Sequence, residues 1–574
     1  MQTKMLKPSL FTAHNLSKLT ITLMGLGTVL FFFFFLFKPV FTIIKRAFIA
    51  NSGFTLAYIK LLFNNQQFFF YLVNSFRIGL ITTFFTILIA LPLALINNKF
   101  TYSGKQAIFA LITVSMFAPP FVSSIGLKYF FSNYGTVNSL LMHLGLIREP
   151  IYFLSGNSIL PIVFIQVLHL YPIMYLSLSS TLSNIDPSIE EASITLGMSR
   201  WRRYRDIVWP LARPGFFSGA ILVFIWSFTD LSTPLMTSFH AVLSVGIFHQ
   251  MNEMIDNPYG YVMVFSMMCI TTLFVILLKW VIAIDHRHKM IGKTYSTRSL
   301  ARPNRWEALG IYTFLTSLIL VSFIPHIGVF FTSIAERWCN SYLPTTYTLQ
   351  AYKNLFSSSC LSGIKNSLFY GFIATFTNLV IGSFIAYTIA KKRVFWVGLV
   401  DALVMMPLFL PGIIMGFGYI ITYMNTWLDT GKNPAFLLIM AYTMRYIPYT
   451  VRVCTAGLQQ LNDSLEEAST VFGASGFRTF WQITVPAILP SLLTSGVLAF
   501  SRTILEVSES LLLATKEAYY PITKMIYALY CSQGDGPTKA SALGMVTLFI
   551  ILLIVVISNK FLGKKANNLF KITS

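Results

Sequence analysis

Charged residues are scarce in this chain, 11% of 574 residues, whereas a soluble domain carries about 25%. So little charge excludes an ordinary water-soluble globule. Acid is the rarer sign, with 20 Asp and Glu against 42 Lys and Arg, a formal net charge of +22. Such an excess would suit nucleic acid if it were gathered on one surface. Instead the basic residues collect in alternate short loops between apolar runs, as in a polytopic membrane protein. Only five cysteines occur, none with Cys-x-x-Cys spacing, which excludes a thiolate metal or redox centre. The alternating ten-residue strands of an outer-membrane barrel are missing. Serine, histidine and aspartate never group as a nucleophile with its base. Gly292-Lys293-Thr294 has the tail of a phosphate-binding loop, but Arg287 stands where the earlier glycine is required and an apolar helix precedes it. The chain therefore holds no ATPase domain. His286 and His288 flank Arg287 beside Lys289, a setting that repels a cation and reads as part of a basic surface.

What the chain has in abundance is apolar length: 55% hydrophobic and 16% aromatic residues, with a mean hydropathy of +0.67. A helix needs about 20 apolar residues to cross a bilayer. Segments near 19–44, 70–97, 106–130, 158–182, 212–236 and 261–284 meet that length, as do 308–334, 366–390, 396–424, 434–458, 487–513 and 540–560. The first run is too long for a signal peptide and lacks a small-residue cleavage site. The expectation is an all-α polytopic membrane protein of about 12 transmembrane helices. With the N-terminus inside, the cytoplasmic side receives Lys99, Lys105, Arg200, Arg202, Arg203, Arg205, Lys391, Lys392, Arg393, Lys564 and Lys565. Both termini are then cytoplasmic, while the opposite loop near 237–260 has no Lys or Arg.

One stretch occurs twice, as EEASITLGMSRWRRYRDIVWP at 190–210 and EEASTVFGASGFRTFWQITVP at 466–486. The offset is 276 residues (467 minus 191) and pairs Glu190, Glu191, Ala192, Gly197 and Pro210 with Glu466, Glu467, Ala468, Gly473 and Pro486. Each copy predicts a short helix, a turn at the glycine and a second amphipathic helix ending at the proline, because glycine alone takes positive φ without penalty. The copies are polar islands between spans, so they lie at a membrane surface. Left to itself, such an element is an amphipathic interfacial hairpin. The duplication continues at an offset of 292 (366 minus 74), where Gly79 matches Gly371, Pro119 matches Pro411 and Gly126 matches Gly418. Three regions follow: a first half at 1–284, a basic cytoplasmic linker at 285–307 and a second half at 308–574.

The repeated Glu-Ala-Ser, with glycine six residues after the glutamate and Ile-x-x-Pro beyond, resembles the cytoplasmic coupling loop of permease subunits in binding-protein-dependent ABC importers. The resemblance implies a type I ABC importer permease fold of two homologous six-helix halves in a bacterial inner membrane. It also implies that the ten residues just paired contact two copies of a cytoplasmic ATPase subunit. ATP and magnesium would be bound by that partner, the chain itself holding no cofactor and no metal, and a substrate-binding protein would deliver cargo from outside. FTDLSTPLM at 228–236, with ITKMIYALY at 522–530 and KASALGM at 539–545, is similar to fused permeases of the iron(III) class, although Ser232 stands where that class has glycine. Thiamine, aminoethylphosphonate and polyamine importers are the alternatives. A secondary transporter or channel would require no coupling loop at all.

Charge within spans is costly and marks candidate function. Asp230 matches Glu506 at the 276 offset, and Glu509 follows. The Asp230/Glu506 level either lines the translocation path or stabilises the bundle, with Arg502 one turn from Glu506 as a local partner. Pro119-Pro120 and Pro411-Gly412 predict matching breaks in the third span of each half, lining a cavity or merely kinking the packing. Cys339 and Cys360 share one predicted external loop, where a disulfide requires a Cα separation of about 4.4–6.8 Å.

Overall fold

The computed structural model describes residues 25–50, 53–117, 119–154, 158–253, 258–285, 301–338, 341–356, 358–391 and 397–570. Residues 286–300 of the linker, with both histidines and the Gly-Lys-Thr triplet, lie outside the described residues, as do Cys339 and both chain ends.

Among the described residues, each of the twelve segments predicted as spans is mostly helical. Eight described helices are individually long and apolar enough to cross a membrane, and two pairs bent at a short break bring the number to ten. The remaining two segments are Ala435–Gln459, which carries Arg445 and Arg452, and the pair Lys105–Phe117 and Pro120–Phe131. Local chemistry sets the helix starts. Asn65 accepts the Gln67 amide at 2.8 Å to open Gln66–Lys99, and Asn304 with Glu307 forms a capping box for Arg305–Ile334. Along Gln66–Lys99 one stripe, Ile78, Thr82, Thr86 and Ala90, is buried, whereas Leu80, Phe84 and Leu88 are exposed. Small and polar groups face protein and large apolar ones face outward, the reverse of a soluble helix and the pattern that lipid demands. A two-stranded ribbon follows the first helix of each half, Ile49–Ala50 with Gly53–Phe54 and Ala335–Arg337 with Thr346–Tyr347.

Besides the third span of each half, broken near Pro119 and Pro411 as expected, the fifth span of each half is not continuous. Helix Trp209–Phe228 stops before Asp230 and a short helix, Ser232–Met236, follows; likewise Leu489–Ile504 stops before Glu506 and Ser508–Leu513 follows. Both acids therefore occupy turns between helices instead of helix interiors. Nor does the amphipathic run end at Pro210. Helix continues from Arg200 through Tyr204–Val208, a wider turn in which the Trp209 amide bonds to the Tyr204 carbonyl, into Trp209–Phe228. The extra residue per turn accommodates a proline that lacks its own N–H. The second copy repeats the device at Phe480–Thr484 ahead of Pro486, but bends by 74° between Gly476–Ala487 and Leu489–Ile504.

The chain forms two compact units that interleave along the sequence. One contains residues 1–45, 364–521 and 553–569; the other contains 46–363, 522–552 and 570–574. In the first unit, Phe32 and Leu36 of the first helix join a core with Tyr419, Tyr442, Ile447 and Leu513. In the second, Ile311, Leu315 and Leu318 of the seventh helix join a core with Leu93, Tyr171, Tyr175 and Val223. The opening helix of each sequence half thus packs with helices of the other half. Glycine makes both contacts close. A Cβ on Gly126 would stand 2.7 Å from the Val329 amide, and one on the matching Gly418 would stand 3.1 Å from Pro39 Cβ.

Candidate functional site

The two repeated turns are built alike. Helix Pro187–Thr195 begins at Asp186, whose carboxylate accepts the Ser188 amide at 2.9 Å. Hydrogen bonds from Ser188, first through its backbone, hold this carboxyl below the usual range. The helix ends at Gly197, φ +73°, with Gly197 N–H donating to Ile194 O at 2.9 Å and Met198 N–H to Ser193 O at 3.0 Å. Helix Ser464–Val471 ends at Gly473, φ +82°, with Gly473 N–H donating to Thr470 O at 3.0 Å and Ala474 N–H to Ser469 O at 3.1 Å. Both are left-handed Schellman caps. No atom lies within 4 Å of a Cβ built on either glycine, so backbone conformation alone demands glycine there. Ser199 and Ser475 then open the second helices by accepting the Arg202 and Arg478 amides.

Glu191, Ala192, Glu467 and Ala468 are exposed beside these turns. Glu466 is turned inward, accepting Thr484 Oγ1 at 2.7 Å and the Tyr387 hydroxyl at 3.2 Å, so it ties the short helix to the wide turn ahead of Pro486. Glu190 is half-buried. The most projecting side chains were missed by sequence reasoning. Leu196 and Phe472, immediately before the two glycines, are 81% and 90% exposed, and Trp201 and Phe477 stand out beside them. Each pair is related by the offset of 276 (472 minus 196, 477 minus 201), so the alignment already carried the signal. Each copy thus holds a large exposed apolar side chain on a rigid cap, at equivalent positions of the repeat.

The second constellation surrounds the broken third span of the second half. Val397–Phe409 and Gly412–Tyr423 are bent by 98° at Pro411. Arg445 donates through Nη1 to the Leu410 carbonyl at the break, and its Nε lies 3.9 Å from Glu506 Oε2. The Tyr446 hydroxyl donates to the same carboxylate. A Cβ on Gly412 would sit 3.1 Å from Glu506 Oε1 and 3.5 Å from Glu509 Cγ, so glycine admits both acids to the start of the second piece. A cation meets the carbonyl end of one helix and carboxylates meet the amino end of the next, the arrangement both helix dipoles favour. Glu509 is 1% exposed, and its Oε2 has no partner among the described residues. The sequence offered Arg502 as a local partner for Glu506; the contacts with Arg445 and Tyr446 come from a helix some sixty residues earlier, at a separation no local pattern encodes.

The matching site in the first half uses different chemistry. Pro119, in extended conformation, precedes helix Pro120–Phe131. Asp230 accepts the Ser232 amide at 3.0 Å, the Ser232 hydroxyl at 2.7 Å, the Thr233 amide at 3.3 Å and Gln166 Nε2 at 3.0 Å. Gln166 Oε1 in turn accepts from Ser227 and Thr82. At the offset of 276 (445 minus 169), His169 stands where the second half has Arg445, so this acid is held by amides instead of a guanidinium. His169 and His326 line a cavity of about 10 Å³, room for a single water.

Duplicated six-helix halves, broken third spans and paired glycine turns define an all-α, multi-pass membrane transport protein of the type I importer fold. The chain belongs to the family of binding-protein-dependent transport system inner membrane components, whose profile matches residues 80–284 and again 378–566. It is 26% identical over 552 residues to the ferric transport system permease protein FbpB of Actinobacillus pleuropneumoniae, covering 93% of this chain and 76% of that one. A putative ferric transport system permease protein, FbpB 1 of Haemophilus influenzae, is 28% identical over 510 residues, 85% of this chain and 77% of the relative. The molybdate/tungstate transport system permease protein WtpB of Pyrococcus furiosus is 24% identical over 227 residues, 39% of this chain and 88% of its own. Members of this family are transport subunits and not enzymes, and this chain is one of them.

Proposed function

We propose that this chain is the two-half permease subunit of an ATP-driven importer and that its cargo is iron(III). The observation that carries the transport reading is the pair of Schellman-capped turns in register, each presenting an apolar knob and an exposed glutamate. Two equivalent docking elements call for two equivalent partners, hence two copies of an ATPase subunit that binds ATP and magnesium. ATP binding draws those copies together, the turns follow, and the halves reorient around a central path between outward and inward access. With both termini in the cytoplasm the turns face the ATPases, and a binding protein delivers cargo on the opposite side.

Iron(III) is favoured because the relatives matched along both halves are named for ferric transport, whereas the molybdate/tungstate relative matches a single half. Asp230 and Glu506 fit a cationic cargo as weak, transient attractors, since each already shares its charge with protein donors. A polyamine is the second reading, supported by the spermidine/putrescine transport system permease protein PotB of Escherichia coli, 27% identical over 199 residues. The test is uptake by cells carrying the complete transporter, with radioactive iron(III) and labelled spermidine supplied separately. ATP-dependent iron uptake lost on deletion of this chain supports the proposal; spermidine uptake without iron uptake replaces the cargo.

A further inference from the structure

The loop between the fifth and sixth spans holds two histidines that neither reading uses. Nδ1 of His240 lies 3.5 Å from Nε2 of His249, with ring centroids 5.3 Å apart and planes inclined at 61°. That separation is at the long limit for a hydrogen bond from a ring N–H. Two imidazole nitrogens on one tetrahedral ion, each about 2.0–2.1 Å from it, stand about 3.4 Å apart by the tetrahedral angle.

Both histidines are exposed, but their backbones are fixed. Phe239, Val242 and Leu243 beside His240 are buried, and so are residues 243–247 of the helix Leu243–His249 that ends at His249. Asn74 Nδ2 donates to Ala241 O at 3.0 Å and the Leu243 amide donates to Ser75 Oγ at 2.9 Å, which pins the segment between the two rings. The backbone that carries the pair is therefore held in place.

The geometry points to a two-histidine site for a divalent transition-metal ion of the zinc, nickel or copper kind. Imidazole suits these ions, whereas a hard trivalent cation prefers oxygen, so iron(III) is not the ion this pair would select. Among the described residues no group of three or more His, Cys, Asp or Glu comes together, and water completes the coordination. Ser244, between the histidines, donates through Oγ to the Asp230 carbonyl at 2.7 Å. An ion joining His240 to His249 would staple the segment that supports the Asp230 turn and slow its movement.

The test uses the full chain in detergent with any affinity tag removed, titrated calorimetrically with zinc and, separately, loaded with one equivalent of copper(II) for electron paramagnetic resonance. Because the chain has eight histidines, the readout is the difference between variants. His240→Ala and His249→Ala are each expected to weaken one zinc site at least tenfold and to reduce the nitrogen hyperfine pattern from two imidazoles to one. Both positions are exposed, so the variants should fold, which unchanged gel-filtration profiles would check. Zinc isotherms unchanged in the double variant, or a copper spectrum indifferent to both substitutions, would overturn the site and leave two neighbouring surface imidazoles. Neither outcome depends on what the transporter carries.

Discussion

The hydroxyl of Tyr419 donates to the carbonyl oxygen of Phe35 at 2.6 Å. That carbonyl is the one Pro39, four residues on and without an N–H, leaves unpaired in the first helix. Tyr423, one turn further along, donates to Phe34 O at 2.7 Å, and the helix widens over Phe33–Phe37 so that the Lys38 amide bonds to Phe33 O. A defect in one helix is repaired by hydroxyls from another, 384 residues away in sequence.

Removal of that hydroxyl tests the repair. Tyr419→Phe keeps the ring in its buried site but strands the Phe35 carbonyl where water is scarce, a loss of about 1–3 kcal/mol. The purified chain should unfold at lower temperature or denaturant than the native chain. Leu428→Ile, a volume-conserving change elsewhere in the same core, is the control with a smaller expected effect.

Substitution at the caps should act through the backbone alone. With open space around both glycines, Gly197→Ala and Gly473→Ala meet no clash, and the left-handed conformation costs roughly 1–2 kcal/mol for a residue with a Cβ. Gly197→Val and Gly473→Val together should reduce transport sharply while the protein still reaches the membrane. Normal uptake by the double valine variant would remove the turns from the mechanism.

The apolar knobs should matter more for partner capture than for stability. Leu196→Asp and Phe472→Asp lie on exposed positions, so each should change the stability of the isolated chain by no more than about 0.5 kcal/mol. Co-purification with the ATPase should fall at least tenfold in the double variant. Equal recovery of the complex would show that the knobs are incidental.

The ion pair at the broken helix predicts an asymmetry between single and double variants. Arg445→Met removes the guanidinium beside the buried Glu506 carboxylate and should destabilise by about 3–5 kcal/mol. Adding Glu506→Leu should recover much of that loss, because the buried carboxylate that Arg445 faced is gone. Chemical denaturation of the single and double variants measures the coupling, and simple additivity would dissolve the pair.

In the first half, Asp230→Asn presents an amide to a site already full of donors, from Ser232, Thr233 and Gln166. At least one hydrogen bond is lost, at a cost of about 1–3 kcal/mol. Uptake should slow while ATPase binding is retained. Wild-type uptake would confine Asp230 to a structural role.

What the sequence determined by itself is what short-range physics encodes. Apolar runs of membrane length, basic residues in alternate loops, a glycine between two amphipathic stretches and a repeat at fixed offset each depend on residues close together, so the twelve helices, the duplication and the left-handed caps at Gly197 and Gly473 were legible. The glutamates were only half legible: Glu191 and Glu467 face outward, but Glu466 turns in to Thr484 and Tyr387, a partnership between three separate elements. Tertiary structure alone decided the rest. Asp230 and Glu506 left their helices because the amides of Ser232 and Thr233, the Tyr446 hydroxyl and the Arg445 guanidinium offered better partners than a continued helix. The first helix crossed to the other half's core because Gly418 leaves room for Pro39 and Tyr419 supplies the missing donor. Hydrophobic periodicity tells a helix that it must bury a face, but every apolar face satisfies that demand; close approach at glycine and the pairing of a stranded carbonyl choose which one.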